Sequence, residues 1–117
     1  MMHRRLLLLA LGAVALPATA GAHHGWGSYD SDRPLTLTGT VERVSFENPH
    51  GILILRTPEK VWEVVLAPPF RMIARGLQEE MIRPGAVVEV MGYPHRSRDI
   101  ELRAEWIKVN GTITQLR

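Results

Sequence analysis

Four histidines, His23, His24, His50 and His95, carry most of the chemistry that this sequence offers. Imidazole is the commonest metal ligand and the one side chain whose ordinary titration range spans neutral pH. His23 and His24 are adjacent. His50 follows the turn residues Glu47, Asn48 and Pro49, and His95 opens a polar run that ends at Asp99. The chain has 0 cysteines, so thiolate metal sites and thiol nucleophiles are excluded. A donor set built from imidazole nitrogen suits copper, nickel or zinc. A plainer account fits the same residues: a paired lead-in, a turn histidine after proline, and a loop histidine hydrogen-bonded to backbone.

What precedes His23 sharpens the metal reading. Arg4 and Arg5 lead into the apolar run Leu6 to Leu16, which is followed by Pro17 and the small residues Ala18, Thr19, Ala20, Gly21 and Ala22. This is the order of a secretory signal peptide, and the run is too short to span a bilayer. Residues 1–22 are therefore expected to be removed, with cleavage after Ala20 or Ala22. The first cut leaves Gly21-Ala22-His23, whose terminal amine, two amides and imidazole can surround Cu(II) in a square plane. The second leaves His23 first, so that its amine and ring can chelate Cu(II) together. Expected localisation is periplasmic or secreted, with no membrane span in the mature chain.

Charge argues against polyanion partners. Of 14 Lys and Arg residues, Arg4 and Arg5 leave with the signal, and the remaining 12 balance 12 Asp and Glu. The exported domain lacks the basic excess that grips nucleic acid or anionic lipid. Other constellations are weaker. Trp26, Tyr29 and Trp62 could form an aromatic face, although Trp62 fits a core position better. Glu42, Glu47 and Glu63 have no spacing that opposes one carboxylate to another, so no acid and base pair is named. Ser28, Ser45 and Ser97 lack a nucleophile elbow. Arg96, Arg98 and Arg103 make a local basic patch that reads as a solvated face, and a turn accounts for Asn110-Gly111-Thr112.

The elements that must position these residues are mostly strands. Residues 23–34 read as an irregular N-terminal segment and 35–117 as one β-barrel domain. In the first strand Leu35, Leu37, Gly39 and Val41 alternate with threonines, and the apolar parity then shifts to Val44 and Phe46. That shift predicts a bulge, with Gly39 easing the bend. Ile52 to Leu55 and Val61 to Leu66 predict the second and third strands. Pro68 and Pro69 suit a helix start, Phe70 to Ala74 continue it, and Gly76 caps it. A further helical turn spans Gln78 to Ile82, with Glu79 and Glu80 matched to the helix dipole.

Val88 and Val90 mark the core side of a fourth strand. Glu101 to Val109 forms a fifth, and Asn110-Gly111 turns into a short sixth from Thr112 to Leu116. Three strands, a helix and two or three strands is the order of a mainly β, small OB-type barrel of five to six strands; a β-sandwich or SH3-like barrel is the rival. In an OB-type barrel the loops carrying His50 and His95 flank one ligand face.

The segments Ala22-His23-His24-Gly25, Leu37-Thr38-Gly39-Thr40-Val41, Asn48-Pro49-His50 and Ala67-Pro68-Pro69 together resemble a family of exported bacterial proteins called domain of unknown function number 6152. The resemblance implies an exported single domain and brings no established activity. It includes His23, His24 and His50 in its pattern, whereas His95 is not tied to it. Gln78 departs from the Ser or Thr expected as a cap.

Three functions follow as expectations. The first is an exported, non-catalytic binding module that takes Cu(II) or another transition metal through His23, His24, His50 and His95. The second is a structural or partner-binding domain of an envelope complex. The third, a copper enzyme with an N-terminal histidine brace, requires cleavage after Ala22. Nucleic acid is not an expected partner.

Overall fold

The structure, a computed structural model, describes residues 25–117. The proposed signal peptide, both cleavage points, His23 and His24 lie outside the described residues. Strands β1 (Leu35–Ser45), β2 (Ile52–Arg56) and β3 (Val61–Val65) are followed by helix α1 (Pro69–Ala74), a 3-10 turn (Glu79–Ile82), β4 (Val87–Pro94), β5 (Glu101–Val109) and β6 (Thr112–Gln115). The strands run in the order β3-β2-β1-β4-β5-β6, and β3 also pairs in parallel with β5. That pairing closes five strands into an OB-type barrel and leaves β6 as an extra strand on β5.

β1 belongs to both halves of the barrel. Leu35 to Thr40 pair with β4, and Thr40 to Ser45 pair with β2. The expected bulge falls between Val41 and Arg43, so Glu42 is the extra residue that re-aims the strand. Gly39 is needed because β1 passes so close to β2 there that a Cβ would stand 2.4 Å from the Arg56 carbonyl oxygen. β5 carries a second bulge: Met91 faces Trp106 while Gly92 faces Ala104, leaving Glu105 over.

The barrel interior takes Leu53, Leu55, Val64, Val88, Val90, Leu102 and Ile107, each no more than 2% exposed. Trp62 joins this core, with the Lys60 Nζ 4.0 Å from its ring centroid. Helix α1 starts with Pro69 in its first turn and ends as expected at Gly76, whose φ is 97°. The Gly76 N–H bonds the Ile73 carbonyl (3.0 Å) and the Leu77 N–H the Met72 carbonyl (2.8 Å), the double bond of a Schellman cap that seats buried Leu77. The turn from β5 to β6 has positive φ at both Asn110 (50°) and Gly111 (82°), the geometry of a two-residue hairpin.

Candidate functional site

The β1–β2 loop places His50 by fixing its neighbour. The Gly51 N–H donates to the Ala67 carbonyl, and the Gly51 carbonyl accepts from Leu66 N–H, both at 2.8 Å. On the β4–β5 loop the His95 N–H bonds the Glu101 carbonyl at 2.9 Å. The two loops flank a cleft of about 610 Å³ whose lining includes both histidines, Tyr29, Glu63, Arg98, Glu101 and Arg103, with Ile52 and Val65 among its apolar residues. The convergence expected of His50 and His95 is therefore present.

Both rings are already engaged. His95 Nδ1 accepts from the backbone N–H groups of Ser97 and Arg98, each at 3.1 Å, so this nitrogen is unprotonated and the neutral ring carries its proton on Nε2. His95 thus holds its own loop. Arg103 Nη2 lies 3.3 Å from His50 Nε2, and because a guanidinium only donates, that nitrogen accepts. Among the described residues no three of His, Cys, Asp and Glu are grouped so as to hold a metal ion.

Sequence reasoning missed Glu101 and read Arg103 as part of a solvated face; both sit on β5. Glu101, Leu102, Arg103 and Ala104 are buried in succession, although alternate side chains of a strand point to opposite faces. Leu102 and Ala104 point into the barrel. Glu101 and Arg103, each 7% exposed, lie on the outer face and are covered by the N-terminal segment. In that segment a 3-10 turn, Trp26–Ser28, leads to Tyr29, which bridges to His95. The Asp30 N–H bonds the Pro94 carbonyl and the Arg96 N–H the Ser28 carbonyl, both at 2.9 Å.

The Tyr29 hydroxyl donates to Glu101, whose other oxygen accepts from Arg98. Arg98 also reaches Glu63 at 3.5 Å, so two carboxylates from β3 and β5 meet at one guanidinium. Burial, and then the bond to Glu101, hold the Tyr29 phenol far above its usual range. Burial also lowers the Arg103 value.

Trp62 enters the core, as expected from its position in β3, while Trp26 packs against Tyr29 (6.3 Å) and Tyr93 (6.2 Å). One expectation changes. The arginines are no open basic patch: Arg103 is buried, Arg98 is paired, and Arg96 Nε bonds the Gly27 carbonyl at 3.0 Å. β-strand alternation placed Arg103 at the surface, and the cover contributed by a distant segment moved it inside.

A model of the family of unknown function DUF6152 matches residues 10–102. No curated protein matches the chain. Among solved structures the chain is similar to one from the S. pombe Stn1-Ten1 complex, with a TM-score of 0.53 and 20% identity, covering 66% of this chain and 57% of that one. It is also similar to the ZRD-deleted mutant of TiaS in complex with agmatine, with a TM-score of 0.50 and 21% identity, covering 75% of this chain and 25% of that one. The chain spans little more than half of the first and a quarter of the second, and the likeness is one of fold.

Proposed function

The chain belongs to the DUF6152 family, and from that premise we propose that it is an exported binding module whose ligand lies in the cleft between the β1–β2 and β4–β5 loops. Its N-terminal residues support export to the periplasm or beyond, since Arg4-Arg5, an apolar run and small residues follow one another there. Among the described residues no helix is long and apolar enough to cross a membrane.

The ligand that best fits this reading is Cu(II), held by His23, His24 and His50. One observation carries it. Trp26 packs on Arg103, with the guanidinium carbon 4.3 Å from the ring centroid, and Arg103 touches His50 at 3.3 Å. His24 and His23 are two and three residues upstream of Trp26, and three extended residues reach roughly 10 Å. His50 would offer Nε2 to the metal only if the Arg103 N–H gave up that nitrogen. His95 takes the part of loop support, because its Nδ1 is committed to backbone. The cleft volume also suits a small polar organic molecule, the second reading.

The deciding measurement couples binding to folding. A ligand that binds only the native state at a hundredfold excess over its Kd adds about 2.7 kcal/mol, whereas one held equally by an unfolded tail adds nothing. Cu(II) should raise the melting temperature of the mature wild-type chain by several degrees, and His50→Ala should shrink that rise while the apo variant still melts cooperatively. Equal melting of both proteins with and without copper overturns the metal reading.

A further inference from the structure

The cleft does not end at its apolar side. Ser45, Ile52 and Glu63 line both the cleft and a second depression of about 410 Å³, which adds Arg43, Val44 and Ile54. Strand register explains the continuity. Ser45, Ile52 and Val65 are paired neighbours across β1, β2 and β3, and Arg43, Ile54 and Glu63 form a second such row. Paired residues share a face of the sheet, here the outer one, since Leu53 and Val64 between the rows belong to the core. The rows therefore make one trough, floored by Ile52, Ile54 and Val65, that runs from Arg43 on β1 to the wall formed by Tyr29 over β5. Three strand spacings make that about 14 Å, the reach of about four extended residues.

The lining selects the chemistry. A nucleobase stacks on an aromatic face, whereas this floor is aliphatic and Tyr29 stands at the wall, packed against the His95 ring with centroids 5.1 Å apart. An acyl chain matches the floor but leaves the polar groups of Ser45, Asn48 and Ser97 at the rim without partners. A peptide satisfies both, with aliphatic side chains down and amides against the rim. Charge sets its direction. Ion pairs join Arg56 to Glu42 and Arg98 to Glu63, while among the described residues Arg43 has none. Arg43 lines the second depression and Glu47 the cleft, so the positive and negative poles lie at opposite ends. We propose that the trough binds an extended peptide segment of a partner protein, with aliphatic side chains on Ile52 and Ile54 and an Asp or Glu beside Arg43. This rests on the reading of the cleft as a binding site and extends it onto an adjoining surface that needs no metal.

An array of synthetic hexapeptides, probed with the labelled mature chain in EDTA, tests the trough without copper. The peptides vary at the centre among aliphatic, aromatic and small polar residues, and at one end among acidic, basic and uncharged residues. Binding should concentrate on aliphatic centres next to Asp or Glu. Arg43 is exposed on its strand, so Arg43→Glu should fold as the wild type does. That variant should bind the acidic peptides about fivefold more weakly and prefer their Lys or Arg counterparts, a reversal that a merely structural role would not produce. Ile54→Ser should weaken peptides of either end charge alike. Peptides bound with no preference for an acidic end, or with a preference that Arg43→Glu leaves unchanged, overturn the proposal while the cleft still holds a ligand. Failure of every peptide to bind also overturns it, and the copper melt, run separately, then decides the reading of the cleft.

Discussion

Tyr29 sets the terms on which Glu101 stays buried. A carboxylate taken out of water needs its lone pairs filled, and here the phenol and Arg98 fill them. Replacing Tyr29 with Phe removes a hydrogen bond to a charged group, so urea denaturation at pH 7 should show a loss of about 1.5–3 kcal/mol. The pH dependence has a definite sign. The folded state keeps the phenol proton that the unfolded chain releases near pH 10, so this contribution is complete below pH 10 and declines as pH rises beyond it. Tyr29→Phe should show a shallower alkaline decline, with the part due to Tyr93, raised first by its own desolvation and then by Glu105, left in place.

The sequence made His50 and His95 legible at this scale, because strand order alone assigns their loops to one face. Glu101 and Arg103 were illegible. They alternate with Leu102 and Ala104 as solvent-facing residues do, and the tyrosine that covers them lies 72 positions before Glu101.

Among the elements, the bulges decide whether strands can turn the corners of a small barrel. The β1 bulge is visible as the parity shift from Leu37 and Val41 to Val44 and Phe46. β5 has the same signature, from Leu102 and Ala104 to Ile107 and Val109, which passes unnoticed when the strand is read as one uninterrupted run. Its partner feature is Gly92, where a Cβ would come within 2.1 Å of the Arg103 carbonyl oxygen and 2.7 Å of the Ala104 Cα. Both neighbours are backbone atoms in a paired strand, so neither can yield cheaply. Gly92→Ala should cost about 3 kcal/mol, at the upper end of overpacking effects. Gly27→Ala, where a Cβ meets nothing within 4 Å, should change stability by less than about 0.5 kcal/mol, and chemical denaturation of the pair separates backbone approach from a general effect of losing glycine.

Across the whole molecule, the barrel is closed by its shortest seam. β3 and β5 share three paired positions, Glu63 with Glu101, Val64 with Leu102 and Val65 with Arg103, and the Glu63 N–H bonds the Ile100 carbonyl at 2.8 Å. Strand order makes such a closure foreseeable, but the side chains it brings together come from separate segments, which is why no carboxylate pair was readable from spacing. Arg98 spans this seam by holding Glu101 and Glu63 together. An exposed ion pair is ordinarily worth little, but Glu101 is buried, and removing a buried charge's partner leaves that charge uncompensated. Arg98→Ala should therefore lower the melting temperature clearly more than Arg56→Ala, which breaks the exposed pair with Glu42 at 3.0 Å. Adding Glu101→Gln to Arg98→Ala should recover part of the loss, because the double variant no longer buries an unpartnered charge beside Glu63. If Arg98→Ala melts with the wild type, the seam is held by its backbone ladder and core alone, and the guanidinium bridge contributes nothing to closure.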